Sequence, residues 1–453
     1  MRPVILWFRR NLRLADNIAL NAAVGSGRPI IPLYIAGGDD LGQASRWWLH
    51  HSLIDLDRSL RQLGASLVLR SGPPSEVIAE LSAETGAEAL YYTRRYEPAS
   101  RRQEQEVRTF LGERMTIEDF DDSFLHSPDT IMTQAGSPYR VFTAFWKTAS
   151  AVGEPGLPLP PPAALNPVDP QPRSLSIDDL ALLSISAERA RGYKEAWKPG
   201  EAAGLQRLDD VESILQDYAR CRDRPDLDAT SRLSPYLSFG EVSVRQVWHG
   251  VRRMELPLAS VAGGEALLRQ LYWRDFSNYL LFHFPELPDH PLRPEFAHFP
   301  WSTDKALLSA WQDGLTGYPI VDAGMRQLRQ TGWMHNRVRM IVASFLVKDL
   351  FIPWQTGADW FLDTLVDADL ANNSASWQWV AGSGSDAAPY FRIFNPTLQG
   401  KKFDPNGSYV RRWVPEIAES TYPEPVVDHA QARRRALEAY QSIKGIRTSK
   451  HAP

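Results

Sequence analysis

The stretch VILWF at residues 4–8, followed by RRNLR, determines how the N-terminal part folds. A continuous apolar run of this length is typical of a strand that is buried on both faces of a sheet. Similar runs lie at residues 29–35, 66–69, 89–92 and 115–120, with helical patterns at 45–63 and 75–85. This alternation predicts a Rossmann-like α/β domain with a parallel sheet over residues 1–130. No GxGxxG follows the first strand, so the usual dinucleotide fingerprint is missing.

A different organisation begins after this domain. Eight of the 18 residues from 155 to 172 are proline, which favours an extended connection, and we assign residues 131–195 to an interdomain linker. Helical patterns then dominate, at residues 202–217, 265–282, 322–330, 338–349 and 359–366. Residues 196–453 are therefore predicted to form a large all-helical domain.

Composition indicates a soluble, folded chain. It has 453 residues, of which 43% are hydrophobic and 23% are charged, and its length favours two or three domains. No apolar run reaches 18 residues, and the first residues lack a signal-peptide cleavage site. The single cysteine, Cys221, allows neither an internal disulfide nor a cysteine-based metal site. We expect a cytoplasmic protein that binds no metal and does not associate with membranes.

The charge is unevenly distributed along the chain. The net charge is −4, yet residues 231–453 contain 24 Lys+Arg against 22 Asp+Glu, which leaves 26 against 32 for residues 1–230. A phosphate-binding face is therefore expected as a local patch on the C-terminal part.

Tryptophan is concentrated in the helical part. Eight of the 15 tryptophans lie between residues 273 and 379: Trp273, Trp301, Trp311, Trp333, Trp354, Trp360, Trp377 and Trp379. A large helical core would explain their burial but not this density. A region that holds a planar cofactor or passes electrons between indoles would explain both.

Three groups of polar and aromatic residues stand out in the same half. The first, TSRLSPYLSFG at 230–240, places hydroxyls, backbone N–H groups and one arginine before a helix, which suits an anion cradle or a helix cap. The second comprises TGYPIVDAGMR at 316–326 and GWMHNRVRM at 332–340. The third comprises DADLANN at 367–373, WQW at 377–379 and DAAPYFRIFNP at 386–396. So many polar residues between aromatics are unusual for a plain core, because each buried polar group needs a partner.

These segments resemble the flavin-binding half of the DNA photolyase/cryptochrome family, and WFRRNLR at residues 7–13 resembles that family's N-terminal motif. The resemblance covers nearly the whole chain. It implies an antenna-type α/β domain followed by a helical FAD domain, in agreement with the outline above.

Carried over position by position, the resemblance implies a set of FAD contacts. The residues expected to hold the pyrophosphate and ribose are Tyr218, Thr230, Ser231, Arg232, Leu233 and Ser234. Arg339 and Asp367 are expected to pair beside the isoalloxazine, with Asp369 near the flavin or its adenine. Asn373 is expected to lie over flavin N5, where a neutral amide can serve either protonation state.

The resemblance also implies a pocket for a lesion flipped out of UV-damaged DNA. The residues that match this pocket are Trp273, Asn336, Arg337, Met340 and Trp379, with the two tryptophans as apolar walls. The candidates for phosphate contacts are Arg222, Arg337, Gln399 and Lys401. One position departs from the family pattern: Gln270 stands where the commonest cyclobutane-dimer enzymes have a glutamate, which leaves the subclass open.

Two further features follow from the resemblance. Trp377, Trp354 and Trp301 match a chain of tryptophans that passes electrons from the surface to excited flavin. The family's folate-binding Asn-Glu pair aligns near Ala99 and Ser100, so that folate site is expected to be absent. A deazaflavin, a flavin, a folate bound differently, or no second chromophore remain open.

The predicted function is light-driven repair of cyclobutane pyrimidine dimers by a monomer without an obligate protein partner. A (6-4) photolyase would need an acid at the lesion, whereas this chain has Asn336 and Met340 there; His335, on the same helix, would point about 100° away from Asn336. A cryptochrome, which has protein partners instead of a lesion, and a nucleotide-dependent oxidoreductase are competing functions. Asn373, the two pocket tryptophans and the absence of a long tail argue against a cryptochrome.

Overall fold

The computed structural model describes residues 1–37, 41–386 and 391–444. Its N-terminal part is a five-stranded parallel sheet with the strand order β3-β2-β1-β4-β5. The elements of this part are β1 (Val4–Phe8), α1 (Ile18–Gly25), β2 (Ile30–Ala36), α2 (Gln43–Gln62), β3 (Val68–Ser71), α3 (Pro74–Thr85), β4 (Ala89–Thr93), α4 (Pro98–Leu111) and β5 (Thr116–Phe120). All five predicted strands are therefore confirmed, with end points shifted by at most two residues.

Strand β1 is buried throughout because it lies between β2 and β4, with Val4 opposite Ile30 on one side and Ala89 on the other. Its side chains alternate between two cores. Ile5 and Trp7 belong to a core confined to the α/β domain. Val4, Leu6 and Phe8 belong to a second core that continues into the helical half. The core on one face of the sheet thus continues into the helical domain, where helix α2 contacts the helices Glu201–Asp210 and Trp354–Thr364.

Two further helices, α5 (Phe142–Ala151) and α6 (Ala187–Ala196), lie between β5 and the helical part. The proline-rich stretch at 155–172 has no helix, as predicted. It contacts the sheet at Ile30 of β2, which forms an isolated bridge with Pro167 and donates its N–H to the Asn166 carbonyl at 2.8 Å.

The rest of the described chain is helical, and no strand follows residue 192 in it. Its helices are α7 (Glu201–Asp210), α8 (Glu212–Cys221), α9 (Ser234–Ser238), α10 (Val244–Arg253), α11 (Leu258–His283), α12 (Lys305–Asp313), α13 (Pro319–Thr331), α14 (Asn336–Ser344), α15 (Trp354–Thr364), α16 (Leu370–Ala381), α17 (Pro396–Phe403), α18 (Ser408–Trp413) and α19 (His429–Ile443). The predicted two-part fold, α/β followed by all-α, is confirmed.

Several predicted helices differ from the observed ones, and the largest shift of a start is that of α11, which begins seven residues before the predicted residue 265. The helix expected at 202–217 is α7 and α8, because the chain tightens at Val211, whose N–H bonds to the carbonyl of Leu208 at 3.2 Å. The helix expected at 338–349 is α14 followed by a wider π-helical turn, Phe345–Asp349, closed by the Leu350 N–H on the Phe345 carbonyl. Helix α15 also begins five residues before the predicted start at residue 359.

None of the helices in the described ranges combines the length and apolar character needed to cross a bilayer. Within the helical domain, α16 occupies a central position, packing against α11, α14 and α15. The candidate site is built around this helix.

Candidate active site

The loop between α8 and α9 is held in place through its backbone. The guanidinium of Arg207 donates to the carbonyls of Ser231 and Thr230 at 2.7 and 3.0 Å. Two of the predicted residues in this region are buried: Tyr218 on α8, and Leu233 directly before α9. Arg207 thus holds the loop through backbone carbonyls, and the Ser231 hydroxyl accepts a long bond, at 3.5 Å, from the Leu233 N–H.

Arg232 has the features of an anion-binding residue. Its backbone adopts φ +51°, and its guanidinium stacks 5.4 Å from the centroid of Trp333. Burial lowers the pKa of Arg232. The Asp228 carboxylate, 3.2 Å from the guanidinium, acts in the opposite direction and raises it. Its Nε is buried with no hydrogen-bond partner among the described residues. A partly buried guanidinium with an N–H donor that these residues leave unused suits a phosphate.

Three residues on separate elements meet at Asp367. Arg339 of α14 donates from Nη2 to both carboxylate oxygens of Asp367, at 3.1 and 2.8 Å. Ser234, at the start of α9, donates its hydroxyl to the same carboxylate at 2.6 Å. Since the Asp367 side chain is only 2% exposed, the three segments are firmly joined there.

The first turn of α16 carries the next two predicted residues. Asp369 caps this helix by accepting hydrogen bonds at 2.8 Å from the backbone and the side-chain amide of Asn372. One turn later, Asn373 donates from its amide nitrogen to the Ala358 carbonyl at 3.0 Å. That bond fixes the plane of the Asn373 amide.

Asp369 and Asn373 line one cavity of about 390 Å³. Its walls come from both domains. On the helical side they include Ser238 and Arg274. The N-terminal domain contributes Arg10, Arg95, Glu97, Ala99 and Ser100 among others. The positions Ala99 and Ser100, where the sequence lacks a folate-binding pair, therefore border the same space as the predicted flavin contacts.

The predicted lesion contacts Asn336 and Met340 lie together on α14. The Asn336 side chain is exposed, and its amide nitrogen is 4.0 Å from the Met340 sulfur. Contrary to our prediction, His335 lies outside the helix and caps it, since its Nδ1 accepts the Arg337 N–H at 3.1 Å. Burial lowers the pKa of His335 to about 4, so the ring is neutral near pH 7.

The other lesion contacts come from α11 and α16. Gln270 donates its amide back to the Ala266 carbonyl at 3.1 Å, one turn earlier on α11. Trp273 is partly exposed and stacks face to face on Phe142, with ring centroids 3.5 Å apart and 8° between planes. Trp379, in the last turn of α16, lines a second, smaller cavity. Phe142 was not among the predicted site residues, although FTAF at 142–145 places two aromatics at helical spacing.

The three predicted relay tryptophans belong to one apolar cluster. Trp377 and Trp354 are each 2% exposed, whereas Trp301 is partly exposed, so the series runs from the interior to the surface. The ring neighbours of Trp377 are Phe361 at 5.0 Å and Trp311 at 6.4 Å, which the sequence did not indicate. Within the described part of the chain, the buried Trp377 Nε1 has no partner.

The four predicted phosphate contacts lie at helix ends and on α17. Arg222 follows the last residue of α8 and is partly exposed. Arg337 pairs with Asp223 at 2.7 Å and stacks 4.5 Å from the ring of Phe403 on α17. The same helix carries Gln399 and the exposed Lys401. Arg337 therefore joins α14 to the helix with the other candidates.

Comparisons with known proteins agree with this architecture. Two family models match: DNA photolyase over residues 4–164, and the FAD binding domain of DNA photolyase over residues 267–442. The deoxyribodipyrimidine photo-lyase of Agrobacterium fabrum is 45% identical over 471 residues, covering 98% of each chain. Cryptochrome-1 of Arabidopsis thaliana is 35% identical over 490 residues, covering 99% of this chain and 71% of that protein.

A solved structure extends the similarity to three dimensions. The crystal structure of a bacterial class III photolyase from Agrobacterium tumefaciens matches with a TM-score of 0.94 at 44% sequence identity, covering 98% of both chains. Similarity of sequence and fold along nearly the whole length shows that this chain, with its FAD-binding domain, is a member of the DNA photolyase/cryptochrome family.

Proposed function

We propose that this protein repairs cyclobutane pyrimidine dimers in UV-damaged DNA, driven by blue light and reduced FAD. The observation that carries the proposal is the arrangement of α14. Arg339 of this helix bonds to Asp367, one of the proposed cofactor contacts. The proposed lesion contacts Asn336 and Met340 lie side by side on the same helix, and Asn336 is exposed. Within one turn, a single short helix would therefore serve both the cofactor and the lesion.

The residues present suit FAD. When bound and reduced, FAD supplies the photoexcited electron that splits the dimer. Arg232 offers the pyrophosphate a partly buried positive charge and an Nε–H donor that no described residue uses, beside the hydroxyls of Thr230 and Ser231. Asn373 presents a fixed neutral amide to the cavity, and an amide can donate or accept a hydrogen bond.

The protein would bind DNA through the phosphate backbone and would recognise the damaged site by contacts with the extruded lesion. Arg222, Arg337, Gln399 and Lys401 would position the strand without reading its sequence. Trp273 and Trp379 would contact the pyrimidine rings, a stacking interaction of about 1–3 kcal/mol per base. Such contacts favour an already weakly stacked lesion over normal bases.

The side chains on α14 support the cyclobutane dimer as substrate. Reversal of a (6-4) photoproduct needs a proton donor at the lesion, and neither Asn336 nor Met340 can act as one near neutral pH. His335 is buried with a pKa of about 4 and is tied to the helix as its cap. Gln270 is neutral as well, so the proposed chemistry relies on hydrogen bonding and apolar contact. Similarity to the class III enzyme supports assignment to that class.

The test has two steps. Heat release and chromatography should recover FAD from the purified protein, and FMN or no flavin would contradict the cofactor assignment. The reduced protein is then illuminated with oligonucleotides that each contain one defined lesion. We expect repair of the cyclobutane dimer only. Repair of the (6-4) product alone would reassign the substrate, whereas a flavin-loaded protein that repairs neither would be a cryptochrome-type sensor, the function that similarity to the plant protein favours.

Two finer assignments complete the proposal. A second chromophore would occupy the part of the large cavity bordered by Arg10, Arg95 and Glu97, and the absorption spectrum of the released pigments would identify it. The protein would act as a cytoplasmic monomer. Size-exclusion chromatography with light scattering tests its oligomeric state, and imaging of the tagged protein tests its location.

A further inference from the structure

The connector between the two domains reaches the proposed lesion pocket. Its residues 139–142 make contacts with α11 and with the loop that follows α16. The backbone N–H of Tyr139 donates to the Tyr279 hydroxyl of α11 at 2.8 Å. Phe142, which begins α5, stacks on Trp273 of the same helix at 3.5 Å.

The other contacts are with the segment just beyond Trp379. The Ser385 hydroxyl donates to the carbonyl of Arg140. The backbone N–H of Phe142 interacts with the Asp386 carboxyl, whose pKa burial raises and this contact lowers. Asp386 adopts φ +53°, uncommon for a residue other than glycine, so this loop is held in a demanding conformation.

Phe142 takes part in both sets of contacts, with α11 through its ring and with the loop after α16 through its backbone N–H. Its side chain is 5% exposed, so it belongs to the core, whereas Trp273 is partly exposed. A planar stack at 8° covers one face of the indole and limits rotation of its ring. Phe276 meets both rings edge-on, at 5.8 Å from Phe142 and 6.2 Å from Trp273, which restricts them further.

We propose that Phe142 is a positioning residue for lesion recognition: it stacks on one face of Trp273, so that the other face is held ready for a pyrimidine ring. Through Arg140 and its own N–H, the same segment also fixes the loop after Trp379. The linker would therefore set the distance between the two walls of the pocket. This inference rests on the proposed function, because it assumes that both indoles contact the lesion.

The experiment compares Phe142→Leu with Phe145→Leu in the FAD-loaded protein. Phe145 is a matched control because it lies one turn later on α5 and is 2% exposed. Its ring contacts Phe276 at 5.1 Å and Tyr279 at 4.9 Å, whereas the ring of Phe142 contacts Trp273. The measurement is the ratio of Kd values for an undamaged and a dimer-containing oligonucleotide. Melting temperature and flavin content are recorded for each variant.

We expect Phe142→Leu to reduce this ratio by roughly threefold to tenfold, the range for one aromatic pair, and Phe145→Leu to leave it unchanged at a similar loss of stability. Phe142→Tyr, which keeps the ring, should restore the ratio. Equal ratios for the two leucine variants would refute the role. An increased ratio for Phe142→Leu would do so as well, since Phe142 would then occupy the lesion-binding face.

A double-mutant cycle distinguishes positioning from general destabilisation. If Phe142 acts through Trp273, then Phe142→Leu should have little further effect on the ratio in a Trp273→Leu background. Additive effects would refute the inference. If Phe142→Leu does not fold, Phe142→Met is compared in the same way. A wild-type protein that does not discriminate the lesion contradicts the proposed function itself, whereas normal wild-type discrimination with an unaffected variant contradicts only this inference.

Discussion

Two deeply buried regions of the molecule are stabilised in different ways. The tryptophan cluster, formed around Trp311, Trp354, Trp377 and Phe361, consists of apolar side chains in close packing. The domain interface instead buries charged groups, which include Arg13, Asp16, Asp122, Glu241 and Asp275. Arg13 and Asp122, for example, pair at 2.9 Å with side chains only 2% and 1% exposed.

The difference shows that equal burial does not imply equal sensitivity to the same substitution. In the tryptophan cluster the fit of neighbouring surfaces determines stability, because close-packed interiors have no space for added atoms. At the domain interface each charge depends on a particular partner, since a buried charge without one is costly. Added volume should therefore harm the first region most, and loss of a partner the second.

The largest effect is expected for Asp122→Ala at the domain interface. Arg13 would keep its bonds to the carbonyls of Asp16 and Gly240 but lose the carboxylate with which it is directly paired. Removing one partner of a buried pair costs about 3–5 kcal/mol, measured as the free energy of unfolding in urea.

The control for this prediction is Asp217→Ala, which breaks the pair with Arg220 on the surface of α8. Those side chains are 53% and 80% exposed, and solvent screens such a pair, so the loss should be below about 1 kcal/mol. Equal losses for the two variants would show that the buried pair contributes no more than a surface pair.

The second prediction adds volume to the tryptophan cluster. In Gly357→Ala the new Cβ would lie 2.2 Å from the Cη2 of Trp377 and 2.6 Å from the Cδ2 of Leu346. We expect a loss of about 1–3 kcal/mol through overpacking. Displacement of the indole should also slow photoreduction of oxidised flavin, which is followed by absorbance under blue light.

Gly25→Ala is the matched control, because a Cβ there would meet nothing within 4 Å at the end of α1. It should be neutral or slightly stabilising, as less chain entropy is lost on folding. If Gly357→Ala keeps full stability and normal photoreduction, then the cluster has more free space than its packing indicates.

The two regions were also predictable from the sequence to different degrees. The apolar pattern of VILWF located β1, and motif resemblance identified Arg339 and Asp367, which do lie in contact. Neither signal could reveal Gly357 or Phe142, because their importance arises from contacts with residues about 20 and 130 positions away along the chain. Pairings across the interface, such as Asp16 with Arg245 at 2.6 Å, likewise depend on tertiary packing and have no local sequence signature.

The third prediction concerns pH and a single acid of the domain interface. Burial raises the pKa of the Asp275 carboxyl to about 7. The Arg274 charge and the hydrogen bonds from the N–H groups of Leu125 and His126 lower this pKa but do not cancel the effect of burial. Between pH 4 and 7 the folded state therefore binds more protons than the unfolded state at this site. Its contribution to stability should fall as pH rises through this range and stay low above it.

Asp275→Asn removes this titration. Its amide would place an N–H₂ group at the Oδ1 position, which has no hydrogen-bond partner among the described residues and lies 4.0 Å from the Arg274 guanidinium. This constant cost offsets much of the stability gained by removing the buried charge. We expect the variant to be more stable than wild type by about 1–2 kcal/mol at pH 8 and no more stable at pH 4. Urea unfolding over this range gives the comparison, and parallel curves for the two proteins would contradict the assignment of the titration to Asp275.

The smallest effect on stability is expected for a charge outside both regions, where function and folding can be separated. Arg337 pairs with Asp223 at 2.7 Å and stacks on Phe403, and the Arg337 and Asp223 side chains are 19% and 37% exposed. Loss of the pair and of the stack in Arg337→Ala should reduce stability by about 1 kcal/mol. Its expected role is one phosphate contact, and the release of counterions from that phosphate makes binding depend on salt. Loss of the contact should reduce the slope of log K against log salt by roughly 0.9 on duplex DNA.

Arg61→Ala is the control, since Arg61 is 62% exposed and pairs with Asp57 on α2 of the other domain. A slope that stays at the wild-type value in Arg337→Ala would remove this residue from the DNA interface, whereas an equal reduction in Arg61→Ala would indicate that the salt dependence reports overall charge rather than a specific contact.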